Sequence, residues 1–446
     1  MRISRLWILP CLLAVVAAVV VIWATVVLGR WLTGEGFHAL LEREAGRALH
    51  IKAELGPLSL EWLGVTSPKF RGIGSEKTPL KKLDTEGLHA KLRLASLASG
   101  FWAVEEVSMD KLKLHLGPAN SVKENSRTNA AALVEGNPSP VVIDVLRSRE
   151  SDVLIELPDG KSVNIIGTTM EARPQGDQMN CVARGGTLRS CLFPDLVLNL
   201  KSAAFHFSNG DATLSAAELT PTSGGTVHLE GFFPNDKEES HIKGHCENIP
   251  TSALLPHYKE IRGNLDGWGM VKWTPGHSRG GDGFLRGNNI ILENMPALEK
   301  LADLTGIDEF RHLAVQEFQV SFEGDPSATR WNNLILESKG YIRLTGEATT
   351  TSEGALAGNF QLGITGNIIN MIPMAPQILG LREHDGYLWM PVTIGGTLDH
   401  PSEDLTVRLG LVVAAGTEGL LRKGVRQGLD ILGITTGETK EKASKK

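Results

Sequence analysis

Two spacings of apolar residues organise this chain. Leu88, Ala90, Leu92 and Leu94 alternate with His89, Lys91 and Arg93, and Leu112, Leu114 and Leu116 alternate with Lys111, Lys113 and His115. A period of two puts successive side chains on opposite faces, so each run predicts a strand with one apolar and one wet face. The pattern recurs nearly to the end of the chain. It appears at Leu196-Leu198-Leu200 (blurred by Val197), at Phe205 and Phe207 about His206, and at Val227-Leu229. It continues at Phe318-Val320-Phe322, Leu334-Leu336, Tyr341 to Leu344 and Val407-Leu409. Turn chemistry separates the runs: Pro158-Asp159-Gly160, Ser208-Asn209-Gly210, Ser223-Gly224-Gly225 and Gly280-Gly281-Asp282-Gly283. The expected fold is mainly β.

Helical spacing interrupts this pattern in three places. Trp31 to Leu49 places Phe37, Leu40, Leu41, Ala45 and Leu49 on one stripe. Pro296 to Phe310 places Leu298, Leu301 and Leu304 on one side, with Pro296 at a helix start. Leu420 to Leu432 carries Leu421, Val425, Leu429 and Leu432 beside Arg422, Lys423 and Arg426, although Gly424 and Gly428 weaken it as a helix. That stripe suits either a cap on the sheet or contact with an anionic membrane surface. Residues 119–140 read as a polar linker and 435–446 as a charged, disordered tail.

The longest apolar run is at the start. No charge occurs from Leu6 to Gly29, and at about 1.5 Å per helical residue the run reaches roughly 36 Å, enough to cross a hydrocarbon core of about 30 Å. A cleaved signal peptide would have a shorter core and a small-residue cleavage site. Arg2 and Arg5 precede the run, so the expected topology is a cytoplasmic N-terminus, one span, and everything after Arg30 outside the cytoplasm. The formal charge is −6, and without Arg2 and Arg5 the rest is −8, which argues against nucleic acid as a partner.

Candidate chemistry is sparse. His241, His245 and Cys246 offer at most two converging ligands in a strand, fewer than a closed metal site needs. Neither Glu105-Glu106 nor Glu238-Glu239 converges as an acid–base pair, since neighbours in a strand face opposite ways. No nucleophile elbow, phosphate loop or metalloprotease helix motif occurs. The expectation is no catalytic residue, no metal and no cofactor. Cys181 and Cys191 flank Gly185-Gly186, which as a hairpin would bring them together; unpaired thiols are the other reading. A weak repeat at an offset of 119 matches Asn248-Ile249 with Asn367-Ile368, and Asp266-Gly267-Trp268 with Asp385-Gly386-Tyr387. It suggests a recurring strand, short helix and strand.

Set out in this order, the chain resembles the AsmA-like family. Phe37 to Trp62 (FHALLEREAGRALHIKAELGPLSLEW) is similar to the family's opening helix and first strands, and Leu88 to Gly117 to its recurring strand unit. Gly287 to Gly366 is similar to its C-terminal module, and Gly386 to Asp404 (GYLWMPVTIGGTLDHPSED) to its closing pattern. Pro118 to Asp236 has no match. The resemblance implies an inner-membrane-anchored periplasmic protein of envelope and outer-membrane biogenesis. Its fold would be an elongated, curled antiparallel sheet forming an apolar groove that binds or carries phospholipid. The expected organisation is an anchor over 1–30, an opening module over 31–118, the 119–140 linker, a central β region over 141–285 and a C-terminal module over 286–410. An amphipathic helix over 411–434 and the tail complete it. The expected groove residues are Leu88, Leu92, Leu94, Leu112, Leu114 and Leu116, and the expected membrane contacts are Leu421, Arg422, Lys423, Val425, Arg426 and Leu429. Partners would be membrane lipids, the inner membrane and other envelope proteins. The alternative is a structural or regulatory envelope protein with a closed β core and no lipid.

Overall fold

The computed structural model describes residues 35–412 apart from 50, 62–63, 76–79, 94–101, 118–140, 157–160, 177, 191–192, 209–210, 235–238, 257, 275–279, 373–378, 380 and 399. The fold is mainly β. Among the described residues no helix is long and apolar enough to cross a membrane. The run from Leu6 to Gly29, Leu94, the 119–140 linker and the stripe from Leu421 to Leu432 all lie outside the described residues. The chain divides into two compact units at Ile242/Lys243.

Unit 1 opens with the helix Glu35–Leu49, followed by β1 (Ile51–Leu55), β2 (Ser59–Glu61), β3 (Gly64–Gly74), β4 (Leu80–Leu92), β5 (Trp102–Leu116) and β6 (Val141–Ile143). Then come β7 (Leu146–Glu156), β8 (Ser162–Gln175), β9 (Gln178–Arg184), β10 (Thr187–Ser190), β11 (Phe193–Ser208), β12 (Asp211–Pro221) and β13 (Thr226–Phe233). The strands pair in one ladder: β1 and β2 on β3, then β4, β5, β7, β8, β9 with β10, β11, β12 and β13. One departure from the expected antiparallel order is that β6 and β7 run parallel to β5. Alternation cannot foretell this, because it is identical in parallel and antiparallel strands.

The Gly185-Gly186 pair is not a hairpin. β9 and β10 hold a single register against β8, and against β11 as far as Arg189, so they are two halves of one strand. Gly185 (φ 71) and Gly186 (φ 92) take left-handed conformations that glycine adopts without strain, and they kink that strand in place. At about 3.3 Å per residue, Ser190 lies roughly 30 Å along the strand from Cys181, while a disulfide requires Cα atoms within about 7 Å. Cys181 is a free, buried thiol whose pKa burial pushes up to about 11. Native protein treated with iodoacetamide at pH 8 should therefore keep Cys181 unmodified until denaturant is added, and non-reducing peptide maps should show no Cys181–Cys191 link.

β14 (Ser240–Pro250) falls across the boundary between the units. Unit 2 continues with the helix Thr251–Leu254, β15 (Ile261–Trp273), β16 (Gly280–Glu293), the helix Pro296–Thr305 and a 3₁₀ turn at Asp308–Arg311. After these come β17 (His312–Val315), β18 (Glu317–Gly324), β19 (Ala328–Ser338), β20 (Ile342–Thr351), β21 (Leu356–Thr365), the helix Gly366–Ile369, β22 (Arg382–His384), β23 (Tyr387–Gly396) and β24 (Pro401–Glu403). Among the described residues a last helix occupies 405–412. β15 to β21 and β23 pair antiparallel in chain order, with β17 and β18 sharing an edge of β16, and β22 and β24 flanking β23.

Gly280 to Gly283, expected to be a turn, begins β16; glycine is required because a Cβ at Gly283 would overlap the Phe322 ring. Val407-Leu409, expected in a strand, is helical, since Leu405, Leu409 and Val412 are buried at helical spacing and Val407 is exposed. In the repeat, both members have a strand and a short helix, but Asp266-Gly267-Trp268 sits within β15 while Asp385-Gly386 is the turn between β22 and β23.

The core of unit 2 is closed. The helix Pro296–Thr305 contributes Leu298, Leu301 and Ala302, the 3₁₀ turn Phe310, and the last helix Leu405, Leu409 and Val412. These pack on Leu265, Ile290, Leu313, Ile342, Leu362, Ile364 and Met390 of the sheet. The helix from Pro296 stops at Thr305 rather than at Phe310 because Gly306 turns left-handed (φ 71).

Candidate functional site

One face of unit 1 carries two continuous apolar rows. Cross-strand pairing places Leu83 of β4 beside Leu114, Val153, Ile165, Leu188 and Leu198 in turn, ending on β11. A second row runs from Val65 through Ala90, Val107, Leu146, Ala172, Cys181 and Phe205 to Leu214 on β12. Neighbouring strands lie about 4.8 Å apart, so the first row, across five strand steps, is roughly 24 Å long. Most of its members are half-buried. Among the described residues the one helix of this unit, Glu35–Leu49, covers only one end of that face, where Phe37, Leu40 and Leu41 meet Val65, Leu58 and Leu92. His38 and Glu42 fasten it to the backbone of Leu55 at 2.8 Å each.

A crease separates the two rows. In a regular strand buried positions keep a spacing of two. Here the spacing slips by one in strand after strand: Ser67 to Phe70, Thr85 to Leu88, Met109 to Leu112, Ser148 to Ser151, Ile165 to Thr168, Leu200 to Ala203 and Leu214 to Ala217. The pairing Phe70–Thr85–Leu112–Ser151–Thr168 on one side and Met109–Ser148–Met170–Ala183–Ala203–Ala217 on the other puts the slips of β3, β4, β5, β7 and β11 in line, with those of β8 and β12 one rank to either side. Each slip bends its strand. Small side chains crowd this line, and Ser67, Thr85, Ser148, Ser151, Thr168, Ala183, Ala203 and Ala217 are all buried. Inside a bend Cβ vectors converge, which leaves room for little else.

The expected groove residues divide about the crease. Leu88 and Leu92 lie on one side and Leu112, Leu114 and Leu116 on the other, all on the same face and all half-buried. They do not face each other. Leu92 pairs with Val104, Leu114 with Leu83, and Leu112 with Thr85. Val104, Val107, Val153 and Ile165 escaped the sequence reading because the slip breaks their alternation. Glu105 and Glu106 contribute to this. They form a bulge opposite Lys91, where Glu105 meets Lys91 at 3.0 Å and Glu106 meets Arg147 at 3.1 Å.

The opposite face is charged, with alternating sign. Arg71, Asp84, Lys113 and Asp152 stand abreast on β3, β4, β5 and β7, and Lys69, Glu86, Lys111 and Glu150 form the next rank. Burial of the Asp84 carboxyl would raise its pKa, but hydrogen bonds from Lys82 and Arg71 outweigh that and hold it below its ordinary value. A cavity of about 430 Å³ opens among Lys82, Asp84, Lys113, His115, Asp152 and Asn164. Its charges compensate one another and present no converging acid–base pair. His245 contacts Glu247 at 3.1 Å, and the His241 ring lies beside Phe232. The ranks also alter an expectation. Alternation alone would make Lys113→Glu a mild surface change, yet here it sets three carboxylates abreast. Urea unfolding should show a loss of about 0.5–1 kcal/mol at low salt that shrinks in 1 M salt, whereas Lys113→Gln should stay close to wild type.

No family model matches the chain, and no curated protein matches it.

Proposed function

We propose that this chain is a membrane-anchored, AsmA-like periplasmic protein of envelope biogenesis that holds phospholipid acyl chains along the creased apolar face of unit 1, without catalysis. The observation that carries this reading is the contrast between the two units. The sheet face of unit 2 is sealed by its own helices, with Leu301, Phe310, Met390 and Leu409 fully buried, while in the Leu83-to-Leu198 row every member but Val153 is only partly buried, over roughly 24 Å. One leaflet's acyl layer is about 15 Å deep, half a hydrocarbon core, so the row exceeds the length one chain needs. Each methylene laid on it removes about 0.8 kcal/mol of apolar exposure. The run from Leu6 to Gly29 supplies the anchor, and Arg422, Lys423 and Arg426 beside Leu421, Val425 and Leu429 supply membrane contact in this reading.

The closed core of unit 2 favours a second reading, in which the protein is structural and carries no lipid. Lipid analysis of the full chain, extracted in mild detergent and washed, separates the two. Near-stoichiometric phospholipid is expected, and lipid-free protein would overturn the proposal. Reporter fusions after residues 60 and 440 should both behave as exported; a cytoplasmic reporter at either would overturn the topology.

A further inference from the structure

We propose that the hydroxyls of Thr85 and Ser151, buried at the crease, receive the ester carbonyls of an acyl-ester lipid, which fixes where the lipid's polar linkage sits on the apolar face. This rests on the lipid reading above and names its ligand more closely. Thr85 is 3 % exposed and Ser151 0 %, and neither hydroxyl has a hydrogen-bond partner among the described residues. The other crease hydroxyls are satisfied by backbone. Ser67 donates to Lys69 O at 3.1 Å, Ser148 to Glu150 O at 3.0 Å and Thr168 to Arg184 O at 3.2 Å. Alanine fills equivalent places at 183, 203 and 217, so size alone does not call for a hydroxyl. An unsatisfied buried hydroxyl is a net cost to folding, and a native fold that keeps two in one rank implies an acceptor for them.

The acceptor is narrowly defined by its surroundings. Thr85 and Ser151 flank Leu112 on adjacent strands, with Leu83, Leu114 and Val153 one rank away. A ligand there must be apolar except for groups that only accept hydrogen bonds. Carboxylate or phosphate would be buried without a cation, since the charged side chains of these strands stand on the other face. An ester carbonyl in an acyl chain meets the requirement. Leu112 is only half-buried, and it is the side chain that must turn aside to admit the carbonyl.

The test uses the full chain in detergent with two probes: dioleoyl phosphatidylglycerol and its dialkyl-ether analogue with the same chains and headgroup. Wild type should retain the ester lipid roughly fivefold better, as one or two modest hydrogen bonds would allow. The Thr85→Val, Ser151→Ala double variant should bind both lipids alike and should melt no lower than wild type, because it loses only unsatisfied groups. Equal retention of both lipids by wild type would mean that the hydroxyls hold water, and would overturn this inference while leaving the lipid reading in place. A lower melting point in the lipid-free double variant would show that the hydroxyls are already satisfied, with the same consequence. If wild type retains neither probe, the lipid reading fails and this inference with it.

Discussion

Phe310→Ala should destabilise unit 2 by about 3–5 kcal/mol, the largest single effect expected in this protein. The ring is fully buried, makes an edge-on contact with Tyr341 at 5.7 Å and 82°, and stands among Leu301, Leu313 and the other sealed residues of that core. Truncation removes the ring's transfer free energy and leaves a cavity among residues tied to strands, which cannot collapse to fill it. The effect should be confined. In a urea titration read separately for each unit, by hydrogen exchange resolved on peptides, unit 2 should open at markedly lower denaturant while β3 to β12 are unchanged. Phe310→Leu, which keeps most of the volume, should recover the larger part of the loss. A loss below about 1 kcal/mol for Phe310→Ala would show that the 3₁₀ turn is not part of the core.

Leu114→Glu should abolish lipid retention, lowering co-purified phospholipid at least tenfold. Leu114 stands between Leu83 and Val153 in the first apolar row. A carboxylate there would lie under an acyl chain with no cation on its face, and the cost of desolvating it exceeds what a few methylenes return. The protein should still fold, because Leu114 is only half-buried and a glutamate can reach past its neighbours to water. Lys113→Gln, one residue away on the charged face, should retain lipid as wild type does. Equal losses from both would contradict the assignment of faces. Loss of lipid from Leu114→Glu but not from Leu83→Glu would show that the row does not act as one surface.

Both experiments probe features that differ in how far local pattern reveals them. The helix stripe of Leu298 and Leu301 was legible because its period differs from that of the strands around it, and both residues are buried as that stripe requires. The faces of β4 and of the last half of β5 were legible from their period of two: Leu88 and Leu92 alternate with exposed His89, Lys91 and Arg93, and Leu112 and Leu114 with exposed Lys111 and Lys113. The crease was not legible. A one-residue slip looks locally like the end of one strand and the start of another, and Gly185-Gly186 has the composition of a hairpin turn as much as of a kink.

By itself, then, the amino-acid sequence determined the β class, the apolar and wet side of each half-strand, the position of the Pro296 helix and the apolar run from Leu6 to Gly29. These follow from side-chain spacing over a few residues, where the backbone's period is the only variable. Tertiary structure alone decided that β7 lies parallel to β5, that β9 and β10 are one strand, that Gly280 to Gly283 pair as a strand, and that the slips of β3, β4, β5, β7 and β11 align into one crease. Each of these depends on which distant strand supplies the hydrogen bonds. That choice is made by the match of whole ranks, such as Arg71–Asp84–Lys113–Asp152 on one face and Leu83–Leu114–Val153–Ile165 on the other, and no window of neighbouring residues contains it.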